Sequence, residues 1–160
     1  MKIKKIILTS LLIIWMIVIF MFSNQNATKS ESTSDKVAST VIDTVEVVTK
    51  EEITEDKKET LIEDNRFVVR KTAHFTLYFI LGLLAYLTLS SYSIKKIVIF
   101  SILFCFLYAC SDEIHQMFLD GRTGKILDVF IDTIGSVVGI YLCLLVGKLK
   151  LKYNSNKVLS

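Results

Sequence analysis

Long apolar runs separated by short charged segments dominate this chain. A transmembrane helix needs about 20 predominantly apolar residues to cross a hydrocarbon core about 30 Å thick. Four runs approach that length, and the third, which stays apolar only to Cys110, reaches it if its helix continues through the polar residues that follow. The predicted spans are residues 6–22, 72–89, 97–118 and 126–146. The pattern predicts an all-α membrane protein, a four-helix transmembrane bundle in which residues 1–160 form one domain.

The composition adds little until its distribution is considered. The chain is 52% hydrophobic with a mean hydropathy of +0.52, only slightly above the about 45–50% apolar content of soluble domains. The apolar residues gather in runs and the charges gather between them, which excludes a soluble globular domain, a disordered chain and a disulfide scaffold. The cysteines Cys105, Cys110 and Cys143 lie in apolar runs without zinc-ligand spacing, so we interpret them as packing residues.

Lysines predict the orientation of the spans. They fall at the start of the chain, between spans two and three, and after span four, whereas all 16 acidic residues fall on the other side or in spans that open to it. These lysines are Lys2, Lys4, Lys5, Lys95, Lys96, Lys148, Lys150, Lys152 and Lys157. Lysine-rich short loops stay in the cytoplasm, so both termini are predicted to be cytoplasmic. Residues 23–27 form a poor cleavage site, so the first run is interpreted as an uncleaved span.

The loop of residues 23–71 is predicted to be extracytoplasmic and partly helical. Within residues 34–50, valines and one isoleucine recur at helical spacing, which predicts an amphipathic helix lying on the membrane or on the bundle. Residues 51–59 carry mixed charge and are interpreted as a solvated helix face or a flexible connector.

Ionisable residues near the outer ends of three spans are the candidate site. Such a group costs roughly 2.5–3.5 kcal/mol near the centre of a helix, so it persists only if it pairs, meets water or binds a polar ligand. Helical spacing puts these residues on one face of each span, and we expect the three faces to converge on an outward-facing pocket. The candidate ligand-binding residues are Arg70, Lys71, His74, Tyr78, Asp112, Glu113, His115, Gln116, Arg122, Asp128 and Asp132.

Each polar stripe continues into small residues deeper in its span. Gly82 and Ala85 extend the stripe of span two, and Ser101 and Cys105 extend that of span three. In span four, Gly135 and Gly139 form a small-xxx-small pair, which predicts close approach of another helix.

These motifs resemble the VanZ-like family. The resemblance covers roughly residues 5–147, with one departure at Leu77, where many members have an acidic residue. The matching segments are residues 22–25, 70–75 with Tyr78, 112–118, 121–122 and 128–139. The resemblance implies a bacterial plasma-membrane protein of about four spans, whose name member is linked to resistance to lipid-bearing glycopeptides such as teicoplanin. It implies no settled biochemical activity.

Three functions remain open. The pocket could bind a cell-envelope ligand, namely a lipid-linked cell-wall precursor, an anionic lipid headgroup or the glycopeptide, next to the lipid bilayer. Alternatively, the protein could be an intramembrane hydrolase or transferase, either with a divalent metal held by histidines and carboxylates or with His115 as a general base. The candidate catalytic residues are His74, Asp112, Glu113, His115 and Asp132. Lastly, the stripes could be a structural network. We assign no metal ligands from sequence, leave the cofactor open and expect no nucleic-acid partner.

Overall fold

The part of the chain that the computed structural model describes, residues 2–50, 52–121 and 124–159, is mostly helical. Its helices are α1 (Lys2–Ser23), α2 (Ala27–Thr49), α3 (Glu55–Ser91), α4 (Ile97–Gln116) and α5 (Ile126–Leu159). Four of them, α1, α3, α4 and α5, are long and apolar enough to cross a membrane. The predicted all-α membrane protein with four membrane helices is therefore confirmed.

The start of α3 and the end of α4 differ from the sequence prediction. Helix α3 begins at Glu55, long before the predicted span at residue 72, because neither proline nor glycine interrupts the charged segment that precedes the apolar one. Helix α4 ends at Gln116 rather than continuing to Phe118. There the backbone N–H groups of Phe118 and Leu119 bond to carbonyls three residues earlier, which closes a tight turn.

The bundle has two distinguishable ends. The Tyr92 hydroxyl lies 3.1 Å from the Thr9 hydroxyl, so the α3–α4 turn lies beside the start of α1. At the opposite end, His115 Nε2 lies 3.2 Å from Asn24 Oδ1, so the ends of α1 and α4 meet. We call the first the terminal end and the second the α2 end. Helix α5 begins at the α2 end and runs back, so both termini lie on the same side of the bundle; which membrane face this is stays a prediction.

Helices α3 and α5 pack backbone against backbone. A Cβ atom added at Gly135 would overlap the carbonyl of Phe75, and one added at Gly139 would overlap the carbonyl of Phe79. Gly82 of α3 makes an equally close contact, because an added Cβ there would overlap the backbone of Ser136. The close approach predicted from the small-xxx-small pair is therefore confirmed, and α3 is the helix that makes it.

Helix α1 lies at the edge of the bundle and is attached through side-chain hydrogen bonds to backbone. Trp15 Nε1 donates to the carbonyl of Leu77 at 2.9 Å, and the Tyr108 hydroxyl donates to the carbonyl of Met16 at 2.7 Å. Most of the other large apolar side chains of α1 are exposed, as expected for a helix facing lipid.

Helix α2 and the charged start of α3 form a helical hairpin outside the apolar segments. Arg66 bonds to both carboxylate oxygens of Asp35, at 2.6 and 2.9 Å. The buried positions of α2 are small residues, whereas the valines of its predicted apolar face are 47–76% exposed. These valines are Val37, Val41, Val45 and Val48. Of the two placements that the pattern left open, the bundle therefore does not cover Val45 and Val48, which remain available to a membrane surface, whereas Val37 and Val41 border a groove next to α1 and α3.

Candidate functional site

Three ionisable side chains from three helices meet inside the α2 end of the bundle. One ligand-capable atom from each of His74, Asp112 and Asp132 lies within 4.8 Å of the other two. Asp112 and Asp132 are only 4% and 1% exposed, and His74 is mostly buried. The predicted convergence of the polar stripes of α3, α4 and α5 therefore occurs at these residues, which we call the His74 cluster.

The central contact joins His74 to Asp132. His74 Nδ1 lies 3.6 Å from Asp132 Oδ1, a distance too long for a good hydrogen bond. Both atoms are buried and neither has a hydrogen-bond partner within the described ranges. Glycine packing explains the juxtaposition, because Gly135 brings α5 onto the backbone of Phe75, the residue after His74.

Asp112 has one oxygen engaged and one free. Its Oδ2 accepts a hydrogen bond from Gln116 Nε2 at 3.1 Å, and the same amide group lies 2.7 Å from the hydroxyl of Ser23 on α1. Its Oδ1 is buried and makes no hydrogen bond to any residue that the structure describes. Gln116 therefore holds the Asp112 carboxylate in one orientation and leaves an oxygen available.

The remaining acidic candidates nearby have their own partners. Lys71 forms an ion pair with Asp128, and both side chains are largely buried. Glu113 Oε1 accepts the backbone N–H of Lys125 at 2.5 Å, which fixes the connection into α5. These contacts satisfy two buried carboxylates locally, so Asp128 and Glu113 belong to the frame around the His74 cluster.

The two histidines do not share one site. The His115 ring stacks on Phe20 of α1 with ring centroids 4.8 Å apart, and its Nε2 faces Asn24. His115 therefore links α1 to α4, whereas His74 contacts Asp132 of α5. Arg122, the other residue expected at the pocket, lies outside the described residues.

Tyr78 and Arg70 carry polar atoms without partners. The Tyr78 side chain is fully buried, and its hydroxyl makes no hydrogen bond to the described part of the chain. The Nε of Arg70 is likewise buried and unbonded, and no described acid lies within ion-pair distance of its guanidinium. Both residues lie on the same stripe of α3 as His74, as their spacing predicts.

Sequence reasoning missed three polar residues that complete this region. Ser23 and Asn24 bond to Gln116 and His115, respectively, and Ser136 is fully buried one helical turn beyond Asp132. The segment of residues 22–25 carried a signal, since it was one of the motifs of the family resemblance. Ser136 could have been found by its place on the stripe that begins at Asp128 and Asp132.

A groove of about 560 Å³ adjoins the cluster and is lined by α1, α2 and α3. Trp15, Val41 and Leu77 contribute to its apolar wall, and Arg70 and His74 also line it. Its size lies within the range of about 300–1,000 Å³ typical of ligand pockets. The groove therefore combines an apolar surface with a cation that lacks a described partner.

Comparison with protein-family models gives a match. A family model described as VanZ/LLP1 matches residues 8–147, most of the chain. No curated protein and no solved structure matches this sequence. The matched range includes most of each membrane helix and every residue of the His74 cluster.

Proposed function

Because the chain belongs to the VanZ/LLP1 family, we propose that this membrane protein binds an amphiphile of the bacterial cell envelope through an outward-facing pocket at its α2 end. The anionic head group of the ligand contacts Arg70, and its apolar tail lies in the groove between α1, α2 and α3. A lipid-linked cell-wall precursor and a lipid-bearing glycopeptide share this chemistry. Binding of this kind would contribute to glycopeptide resistance.

Arg70 is the observation that carries the proposal, because its Nε is buried and has no hydrogen-bond partner among the described residues. A buried polar atom of a charged group is costly without a partner, so an arginine in this state favours an anionic ligand. The guanidinium presents a forked set of donors that suits phosphate or carboxylate. Arg66, one turn earlier on the same helix, provides the contrast because both oxygens of Asp35 already occupy it.

The apolar wall of the groove is the reason for proposing an apolar tail on the ligand. Trp15 and Leu77 join α1 to α3 through a hydrogen bond, so this part of the wall is fixed. An acyl or isoprenoid chain lying against such a wall gains about 25 cal/mol for each Å² of apolar surface buried. A head group alone would leave this surface unused, which favours an amphiphile over a soluble anion.

The distribution of lysines indicates how the protein is oriented in the membrane. The terminal end carries Lys2, Lys4 and Lys5 at the start of α1 and Lys95 and Lys96 at the α3–α4 turn, which favours a cytoplasmic position for that end. The α2 end then faces out of the cell, in a bacterial plasma membrane, where cell-wall precursors and glycopeptides are encountered.

Binding of defined probes to the full chain in lipid nanodiscs tests the proposal. A fluorescent polyprenyl phosphate should bind, and Arg70→Gln should weaken its binding about tenfold or more, because a hydrogen bond to a charged group contributes about 1.5–3 kcal/mol. Arg66→Gln is the matched control, since Arg66 does not line the groove, and it should weaken binding much less than Arg70→Gln does. Teicoplanin and phosphatidylglycerol vesicles, measured in parallel, distinguish the possible sources of the head group.

Two results would contradict amphiphile binding. The first is that polyprenol, which lacks the phosphate group, binds as tightly as polyprenyl phosphate. The second is that Arg70→Gln and Arg66→Gln lower binding equally. Teicoplanin sensitivity and membrane abundance measured on the same cells connect binding to resistance, with Arg70→Gln expected to reduce resistance at unchanged abundance.

An intramembrane hydrolase or transferase is the second candidate, favoured by the His74 cluster. A histidine between two carboxylates is a common arrangement for acid–base catalysis. Hydrolysis of polyprenyl phosphate consumes water and releases polyprenol and inorganic phosphate, so phosphate release measures it directly. Release that His74→Asn abolishes and His115→Asn preserves would favour the enzyme.

A further inference from the structure

We propose that His74, Asp112 and Asp132 bind one divalent transition-metal ion, such as Zn²⁺ or Mn²⁺, inside the α2 end of the bundle. The site does not use Arg70, and although His74 also borders the groove, the ion can bind whether or not an amphiphile does.

Charge balance is the first argument. The carboxylates of Asp112 and Asp132 are almost fully buried in a membrane protein. No lysine or arginine whose side chain the structure describes, within residues 2–50, 52–121 and 124–150, lies within 4.0 Å of either carboxylate. Lys71, the nearest lysine along the α3 stripe, is engaged by Asp128. Buried charges are normally paired or coordinate a metal. A divalent cation would compensate both carboxylates at once.

Available donor atoms are the second argument. His74 Nδ1, Asp112 Oδ1 and Asp132 Oδ1 are each buried, and each lacks a hydrogen-bond partner in the described part of the chain. These are three nearly inaccessible polar atoms on three separate helices, and native proteins rarely leave such atoms unsatisfied. One shared ion would satisfy all three.

Their spacing fits a common ion. Ligand atoms at about 2.0–2.2 Å from a metal lie roughly 3–3.5 Å from one another. His74 Nδ1 and Asp132 Oδ1 are 3.6 Å apart, and the ligand atoms of all three residues lie within 4.8 Å of each other. A modest side-chain movement would therefore complete the coordination, with no displacement of a helix.

Neighbouring contacts hold the ligands in place. Gln116 donates to Asp112 Oδ2 and leaves Oδ1 for the ion. Gly135 seats α5 against the backbone next to His74. Groups that orient a ligand in this way are a regular feature of metal sites. Mixed imidazole and carboxylate donors suit Zn²⁺ and Mn²⁺ better than Ca²⁺, which prefers oxygen ligands alone.

Metal analysis of the purified full chain tests the site. The protein should be prepared in detergent with a tag that contains no histidine, loaded with Zn²⁺, Mn²⁺ or Co²⁺ and desalted. We expect one ion per chain. His74→Asn and Asp132→Asn should weaken binding more than about 100-fold, because losing a residue that only orients a ligand already costs 10–100-fold.

The chain supplies matched controls for both residue types. His115→Asn removes the other histidine, which bonds to α1, and Glu113→Gln removes a buried carboxylate that already accepts a hydrogen bond. Both should retain the ion. Gln116→Leu should lower affinity by about 10–100-fold without abolishing binding.

The competing interpretation is an internal network of His74, Asp112 and Asp132 without metal, and the outcomes separate the two. Absence of stoichiometric metal from the unmodified chain with all three ions, or equal losses in His74→Asn and His115→Asn, would overturn the site. If a variant does not reach the membrane, the visible spectrum of Co²⁺ bound to the unmodified chain decides. Bands of a four- or five-coordinate ion that a chelator removes support the site, and the spectrum of hydrated Co²⁺ refutes it.

Discussion

The interface between α3 and α5 has two halves of opposite character. Toward the α2 end it contains charged side chains, with Lys71 paired to Asp128 and His74 beside Asp132. Toward the terminal end, Gly82 and Gly139 bring the two backbones into close contact. Both halves are buried, and one register of the same two helices builds both.

This difference separates what stabilises the bundle from what the bundle can do. Close backbone contact gives van der Waals packing, which drives helix association in a membrane. The charged half contributes less to the stability of the bundle, because several of its buried polar atoms have no described hydrogen-bond partner. The packed half therefore holds the charged half in a geometry that the charged half would not adopt by itself, as expected of a functional site.

Gly139→Leu should give the largest loss, because its side chain would enter the backbone of α3 at Phe79. Overpacking of this kind costs about 1–3 kcal/mol of the free energy of unfolding and occasionally more. Unfolding by SDS titration of purified protein measures it, together with membrane abundance. Metal and probe binding should fall with the folded fraction, since the packed half supports the charged half.

Gly147→Leu provides the control on the same helix. An added Cβ at Gly147 meets nothing within 4 Å, and the residue is exposed. The substitution should change stability by no more than about 0.5 kcal/mol. Equal losses at Gly139 and Gly147 would contradict the conclusion that close α3–α5 contact holds the bundle.

Two tyrosines, Tyr78, which is buried, and Tyr108, which is partly buried, sharpen the comparison with a smaller effect. The Tyr108 hydroxyl donates to the carbonyl of Met16, whereas the Tyr78 hydroxyl has no described partner. Tyr108→Phe should therefore cost about 0.5–1.5 kcal/mol, and Tyr78→Phe should leave stability unchanged or raise it, because no hydrogen bond is lost. The SDS titration compares both variants in the absence of metal, and a larger loss for Tyr78→Phe would show that its hydroxyl is bonded.

Helical periodicity predicted the stripes but not the partner of each residue. His74 and Tyr78 share a face of α3 as their spacing requires, and Gly135 with Gly139 marks the contact with α3. Asp112 and His115 were expected at one site because they are three residues apart. At 3.6 residues per turn, that separation still rotates them by about 60°. One can then face α3 and α5 while the other faces α1.

The hydrophobic pattern also could not predict where α3 begins or what covers the apolar face of α2. An apolar run marks where a helix enters lipid, not where its backbone stops being helical, so the pattern could not decide between a solvated helix face and a flexible connector for the charged segment that includes Glu55. An amphipathic face likewise indicates that something apolar covers it, without distinguishing the bundle from a membrane. Whether Arg70 has a partner among the described residues depends on which acids pair with its neighbours, which only the packed structure shows.

The smallest predicted effect lies in the hairpin, where Arg66 meets Asp35 away from the apolar segments. Both side chains are about one-third exposed, so the pair contributes no more than about 1 kcal/mol, and salt screens it. Arg66→Lys keeps the charge but loses the forked pair of hydrogen bonds. It should speed hydrogen exchange in α2 while leaving exchange in α4 and α5 unchanged. Slower exchange at low salt than at high salt in the unmodified chain would support the ion pair. If Arg66→Lys instead loosened α5, the hairpin and the charged half of the interface would be one cooperative unit, and the two regions contrasted above could not be treated separately.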